Sequence, residues 1–263
     1  MRRRLRSLLA LVLACAAARA SALEEVPFVT TPDNVTLAML ELAGVGPRDF
    51  VLDLGSGDGR IVILAAKRFG ARGLGVEIVP DLVTQSRENA RKAGVADRAE
   101  FRTQDLFETD LGMASVITMY LLPEVNLQLR PKVLALPPGT RIVSHDWDMG
   151  DWKADKTITV DAPDKKIGLR KSSTVMLWTV PAPVAGTWCG KGERLEITQA
   201  FQEVRVNGKP GRVEGATVRV AEGLRLSWEK GVLRTTAATG SFAHLQLVTF
   251  APAKGQPASC APR

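Results

Sequence analysis

The chain has 263 residues, 45% hydrophobic and 24% charged, with a mean hydropathy of +0.01. That is the balance of a globular protein of one or two domains, long enough to bury a core without metals. The net charge of +7 suggests a nucleic-acid partner, but Arg2, Arg3, Arg4, Arg6 and Arg19 all fall in residues 1–22, which hold no acid. The remainder carries 30 basic and 28 acidic residues, so charge gives no reason to expect DNA or RNA.

Residues 1–22 read as a secretory leader. Arg2 to Arg6 form the basic start. Leu8 to Ala18 are apolar but too few to span a bilayer core of about 30 Å. Ala20-Ser21-Ala22 is a small-residue cleavage site. The expected destination is the periplasm or the exterior. A mitochondrial presequence and a lipoprotein signal using Cys15 are the alternatives, and Arg2-Arg3-Arg4-Leu5 is weakly compatible with twin-arginine export. Cleavage leaves Cys189 and Cys260, which an oxidising compartment invites to pair; two free thiols are the alternative. No later segment approaches 18 uninterrupted apolar residues, so no membrane span is expected in the mature chain.

Residues 23–182 alternate between two hydrophobic periods. Helical spacing at Val35, Met39, Leu40 and Leu42 predicts a helix over 33–43, capped by Thr31 or Asp33. Strands follow at 50–54, 73–77, 99–103, 115–121 and 140–145, with helices at 60–69, 80–93 and 123–136 between them. Strands separated by helices of this length predict a parallel α/β sheet, Rossmann-like. Runs at 157–160 and 172–180 have only a loop between them and predict an antiparallel hairpin on the sheet edge. Lys165-Lys166 and Arg170-Lys171 then read as its solvated loop or, alternatively, as a docking surface for an acidic partner.

Pro181-Ala182-Pro183 reads as a linker, and residues 183–263 as a small all-β domain, a barrel or a sandwich. Its β-type runs are 194–198, 204–206, 217–220, 224–228 and 245–250, with Asn207-Gly208 as a turn.

The chemistry concentrates where the first strand meets the first interstrand helix, at Asp53-Leu54-Gly55-Ser56-Gly57-Asp58-Gly59-Arg60. Such a turn lets backbone approach a ligand and points helix N–H groups at it. The spacing is G-x-G-x-G, and Arg60 stands where a dinucleotide loop wants its third glycine. The carboxylates of Asp53 and Asp58 are poor company for a pyrophosphate but suit a ligand bearing an ammonium and a sulfonium, as S-adenosylmethionine does. Glu77, followed by Ile78, closes the second strand and can accept both ribose hydroxyls. Asp105, past the third strand, is placed for the adenine amino group, with Leu106 and Phe107 as apolar walls. The dispersed histidines and cysteines give no reason to expect a metal.

The segments Val26-Pro27-Phe28-Val29-Thr30-Thr31-Pro32, DLGSGDGRIVILAA (53–66), GVEIVPDLV (75–83), ITMYLLPEVN (117–126) and GTRIVSHDWDMGDW (139–152) resemble the small class I methyltransferases that modify protein lysines. That group includes a broad-specificity archaeal enzyme and the mitochondrial enzymes acting on the c-ring protein of ATP synthase and on the adenine nucleotide translocase. The departures are Phe28 and Thr30 where the family has Tyr and Pro, and Ser56 where it has Cys. The resemblance covers about residues 26–180 and leaves the β-rich tail without a counterpart.

It implies in-line methyl transfer to a lysine amine, which needs positioning more than acid–base power. The amine, with a free pKa of about 10.4, must first lose its proton. Phe28, Thr31, Tyr120 and Trp147 are expected against the acceptor, and Tyr120 and Asn126 beside the transferred methyl. His145 and Asp146 are the strongly polar pair on that rim. Against these stand plainer readings: Tyr120 as core packing, His145 as a loop cap, and Phe28 and Trp147 as lid packing. Trp152 and Trp178 are expected in the core. The competing functions are a small-molecule methyltransferase on this scaffold and an exported binding protein that works through its β-module.

Overall fold

A computed structural model describes residues 29–166, 170–253 and Cys260. The leader with its cleavage site, and Phe28, lie outside the described residues. The first module opens with α1 (Asp33–Leu42), then β1 (Phe50–Leu54), α2 (Arg60–Phe69), β2 (Arg72–Glu77), α3 (Pro80–Lys92) and β3 (Ala99–Thr103). It continues with β4 (Val116–Met119), α4 (Pro123–Leu134), β5 (Arg141–His145), β6 (Lys156–Asp161) and β7 (Ser172–Thr179). The strands form one sheet in the order β3-β2-β1-β4-β5-β7-β6, parallel except for the β6–β7 hairpin, in which β7 runs antiparallel to β5.

Side chains alternate across this sheet with period two. Val51, Val116, Val143, Val175 and Leu177 face α1 and α2, where Val35, Met39, Leu40, Ile61 and Ala65 meet them. Leu52, Ile117, Ile142, Met176 and Trp178 face the other way, against Leu129 and Val133 of α4 and against Met149 and Trp152. Each such fully buried apolar side chain contributes about 1.5–3 kcal/mol. Trp152 and Trp178 are therefore core, as expected. The first helix is capped differently from expectation. Pro32 occupies the N-cap without a side-chain bond, and the Thr31 hydroxyl is used elsewhere, at His145.

The second module is a closed barrel: β8 (Gly186–Gly190), β9 (Glu193–Ala200), β10 (Glu203–Val206), β11 (Lys209–Glu214), β12 (Thr217–Val220), β13 (Leu224–Glu229), β14 (Val232–Ala238) and β15 (Thr249–Pro252). Every strand pairs with its sequence neighbour, and β15 returns to β8 to close the ring. Asn207 and Gly208 both take positive φ, as a tight hairpin between β10 and β11 requires. Three strands have no reading in the sequence, β8, β11 and β14. The run expected as a strand at 245–250 is instead the end of a 3₁₀ turn, Gly240–Leu245, and the start of β15. Phe242 and Leu245, three apart, bury the same face of that turn.

The expected linker is part of the barrel core. Ala182 and Val184 are fully buried, and Gln199 satisfies the backbone around them: its Oε1 accepts from the amides of Val184 and Ala185, and its Nε2 donates to Ala182 O at 2.9 Å. Cys189 and Cys260 form a disulfide across a sequence separation of 71 residues. Among the described residues no helix is long and apolar enough to cross a membrane.

Candidate functional site

In the sheet β1 lies between β2 and β4, so the chain leaves to one side for β2 and β3 and returns on the other for β4 and β5. The carboxyl ends of parallel strands at such a reversal frame a crevice. Asp53, Glu77, Asp105, Tyr120 and His145 all stand at or just past these ends.

The loop after β1 is pinned flat. The amides of Gly55 and Ser56 both donate to Val76 O at 2.9 Å. Gly59 has φ +83, and a Cβ there would meet the Phe101 ring at 2.7 Å; a Cβ on Gly75 would meet Ser56 and Phe101 at 2.6 Å. Only glycine permits this approach. Glu77, 9% exposed, holds the loop from β2: Oε2 accepts from Gly57 N at 3.0 Å, and Oε1 accepts from the amides of Ile78 and Val79 at 2.8 and 3.1 Å.

Asp53 and Thr118 face each other in the β1–β4 register, and the Thr118 hydroxyl donates to Asp53 Oδ1 at 2.7 Å. Asp53 is buried, and this desolvation pushes its carboxyl up to about 7; the Thr118 bond opposes the shift, while the Asp58 and Glu77 carboxylates add to it. A buried carboxylate in that condition is stabilised by a cation brought beside it. Asp58 is not free for that role. Its carboxylate accepts from Arg60 Nε and Nη2, the latter at 2.6 Å, and this pairing raises the Arg60 pKa further. Arg60 also donates to Thr31 O at 2.8 Å, tying the glycine loop to the segment before α1.

At the far end Asp105 Oδ1 accepts from Phe107 N, Ile78 is 62% exposed on the rim, and Leu106 packs partly into the core. This donor set fits S-adenosylmethionine. Asp53 would take the ammonium, Glu77 the ribose diol, and Ile78 with Leu106 the adenine, whose edge Asp105 would meet. Ser56 Oγ, buried in the same cradle, has no hydrogen-bond partner.

The acceptor half is built around His145. Its imidazole is fully buried, with Nδ1 3.2 Å from Thr31 Oγ1 and Nε2 2.8 Å from Ser173 Oγ. Burial pushes its pKa down to about 4; the Asp146 carboxylate opposes this and the Lys165 charge adds to it. The neutral ring stacks on Tyr120, centroids 3.9 Å apart. Burial, and then the Asp146 charge, raise the Tyr120 phenol above its ordinary value. His145 thus packs against Tyr120 with both ring nitrogens beside hydroxyls.

Asp146, at φ +62, accepts from Thr174 N and pairs with Lys165 Nζ at 2.7 Å. Lys165 is thus largely buried rather than part of a solvated loop. Asn126 braces the same rim with one end of its amide. It is fully buried, its Nδ2 donates to the carbonyls of Trp147 and Asp148 and to Ser144 Oγ, and its Oδ1 has no hydrogen-bond partner. Trp147 is 42% exposed on that rim.

Thr118 and Ser173 escaped the sequence reading, which marked Arg60 only as a departure from the dinucleotide loop. A hydroxyl residue in the middle of the apolar run SVITMYL was the available signal for Thr118. Nothing local marks Lys165 or Ser173, which reach His145 and Asp146 only through the antiparallel return of β7.

The ANTKMT methyltransferase domain family matches residues 53–156. A protein-lysine N-methyltransferase of Saccharolobus islandicus (strain REY15A) is 44% identical over 138 residues, which cover 52% of this chain and 86% of the relative. The adenine nucleotide translocase lysine N-methyltransferase of Mus musculus is 36% identical over 131 residues, 49% of this chain and 56% of its own. Among solved structures, an RNA methyltransferase from Salinibacter ruber in complex with S-adenosyl-L-homocysteine is 52% identical. It aligns at a TM-score of 0.55 over 59% of this chain and 96% of its own.

Proposed function

The chain belongs to the ANTKMT methyltransferase family of protein-lysine N-methyltransferases, and on that footing we propose that it moves a methyl group from S-adenosylmethionine to the ε-amine of a lysine in a polypeptide. The observation that carries this reading is the row of carboxylates at or just past the ends of adjacent parallel strands, Asp53, Glu77 and Asp105, with Tyr120, just past β4, stacked on His145 at the end of β5.

The bound cofactor supplies an electrophilic methyl on sulfur. The chain supplies placement. Asp53 would hold the methionine ammonium, and Glu77 would hold the ribose while pinning the loop through Gly57 N. Tyr120 offers its ring as a wall and its phenol oxygen as an acceptor for an amine N–H. A lysine drawn between Tyr120 and Trp147 is partly desolvated, which lowers its pKa and favours the neutral nucleophile. Among the described residues of this rim, the two strongest candidate bases are already engaged. His145 is uncharged with both nitrogens engaged by hydroxyls, and Asp146 is held by Lys165 and Thr174. The ammonium proton therefore leaves to water before the displacement, and the rate comes from alignment.

Export is also part of the proposal. The basic, apolar and small-residue order of residues 1–22 supports it, and a Cys189–Cys260 disulfide suits an oxidising compartment.

The test is transfer of label from methyl-tritiated S-adenosylmethionine, offering polylysine and bulk RNA in parallel because the Salinibacter relative is an RNA methyltransferase by name. Label in polylysine, lost with Tyr120→Ala, is expected. Label confined to RNA, or to small molecules of an extract, overturns the lysine reading. Glu77→Ala should weaken cofactor binding by roughly tenfold or more, the loss of one charge-assisted pair at about 1.5–3 kcal/mol.

A further inference from the structure

The segment after β5, residues 146–153, carries the exposed Trp147, yet its backbone is held from every side. Trp147 O accepts from Ser144 Oγ at 2.6 Å and from Asn126 Nδ2, which also reaches Asp148 O. Met149 O accepts from Arg130 Nη1 at 2.7 Å, Trp152 O from Trp178 Nε1 at 2.7 Å, and Lys153 O from Gln202 Nε2 at 2.6 Å. The last of these donors belongs to the barrel.

The barrel's contribution is concentrated in the β9–β10 turn, Phe201 and Gln202. Gln202 is buried and uses both ends of its amide on this segment, since its Oε1 also accepts from Trp152 Nε1 at 2.8 Å. Phe201 stacks on Trp152 at 6.0 Å, and the Arg130 guanidinium lies 5.6 Å from the centre of its ring. Phe201 holds φ +54, a left-handed conformation that a bulky residue rarely adopts. Nearby, Arg212 reaches from the barrel to Asp155, whose other oxygen accepts from Thr179 N. The Salinibacter chain is matched over 96% of its length by 59% of this one, so the methyltransferase fold is complete in that relative without the remainder of this chain.

We infer that the barrel is a positioning element of the acceptor rim: the Phe201–Gln202 turn, locked onto Trp152 and Lys153, fixes where Trp147 stands over the crevice. This inference rests on the proposed function for what the rim receives, but the placement itself does not. Gln202 and Phe201 are positioning residues, acting through residues 146–153 and touching neither cofactor nor acceptor.

The experiment is hydrogen exchange of the full chain with Gln202→Met, which keeps length and volume but leaves the Trp152 indole N–H and Lys153 O unpaired, and with Phe201→Leu. Amides of 147–153 should exchange about tenfold faster while those of β1 and β4 stay unchanged, the signature of local rather than global opening. With polylysine as acceptor, KM should rise about fivefold with kcat retained, and S-adenosylmethionine affinity should stay within about twofold, because only the acceptor side of the site has loosened. Unchanged exchange at 147–153 overturns the inference. So does faster exchange spread evenly over the sheet, or a loss of cofactor affinity parallel to KM. Phe201→Leu decides the matter if Gln202→Met does not fold. Should the wild-type chain leave polylysine unmodified, the lysine reading fails by that result, and the exchange of 147–153 still judges the buttress.

Discussion

The two modules bury polar groups in opposite ways. Among the described residues the barrel buries two polar side chains, Gln202 and Thr235, and its interior is otherwise aliphatic and aromatic. Ion pairs lie on its outside, as in Arg219 with Glu214 and Lys209 with Glu222. The sheet module buries Asp53, Glu77, Asn126 and His145 along one rim, with a carboxyl pushed up to about 7 and an imidazole pushed down to about 4. The barrel interior keeps to apolar packing, while the rim gathers buried polar groups, which is where a fold gives up stability for chemistry. The barrel's one polar exception that finds partners, Gln202, spends them on the rim.

The comparison can be broken at its seam. Trp152→Ala removes a fully buried indole shared by both modules, and a loss of about 3–5 kcal/mol is expected. Denaturant unfolding followed by far-UV circular dichroism should show one transition shifted as a whole. Two separate transitions, with only one displaced, would mean that the modules are independent bodies. Reducing the Cys189–Cys260 bond comes next. Opening a closure of 71 residues should cost about 2–4 kcal/mol, confined to the barrel, and hydrogen exchange of β8 and β15 would register it.

Asp53→Asn sharpens the other side. Cofactor affinity measured by calorimetry should fall about ten- to a hundredfold, the value of a charge-assisted contact of about 1.5–3 kcal/mol. Stability should move the opposite way. A carboxyl raised from 3.8 to about 7 in the folded state binds more protons there than when unfolded, so the wild type loses stability as pH rises from about 4 to 7. The variant lacks that loss and should be the more stable protein at pH 8 without ligand. In the wild type, cofactor affinity should climb through the same window as Asp53 ionises; a pH-independent affinity would assign the cation to another group. The smallest effect is expected at the barrel surface, where Arg219→Ala should change stability by less than about 1 kcal/mol, its ion pair with Glu214 being exposed.

How much of this is legible in the chain follows the same division. The parallel strands are legible because each is a short apolar run bounded by glycine or helix signals, and the DLGSGDGR turn locates the crevice from residue types and spacing alone. Glu77 is legible because it ends such a run. The barrel is legible as a class but not strand by strand. β8 (GTWCG) and β11 (KPGRVE) carry glycine or proline within the strand, and they become strands only because neighbours close around them. The roles of Asn126, His145 and Lys165 are hidden for another reason. A polar residue near a strand end looks the same in sequence whether it faces a ligand or braces a carbonyl, and here it is partners 18 to 114 positions away that decide. The junction at Ala182 misleads through its prolines, which mark an extended segment but say nothing of whether it is solvated.

The bracing of residues 147–153 has a consequence for how this protein can change. Because the carbonyls that fix the segment are held by donors outside it, the side chain at position 147 is close to a free variable. Exchanging Trp147 alters what the rim presents to an acceptor without altering where the rim stands. Acceptor preference can then drift through one codon, on a scaffold that need not be rebuilt each time.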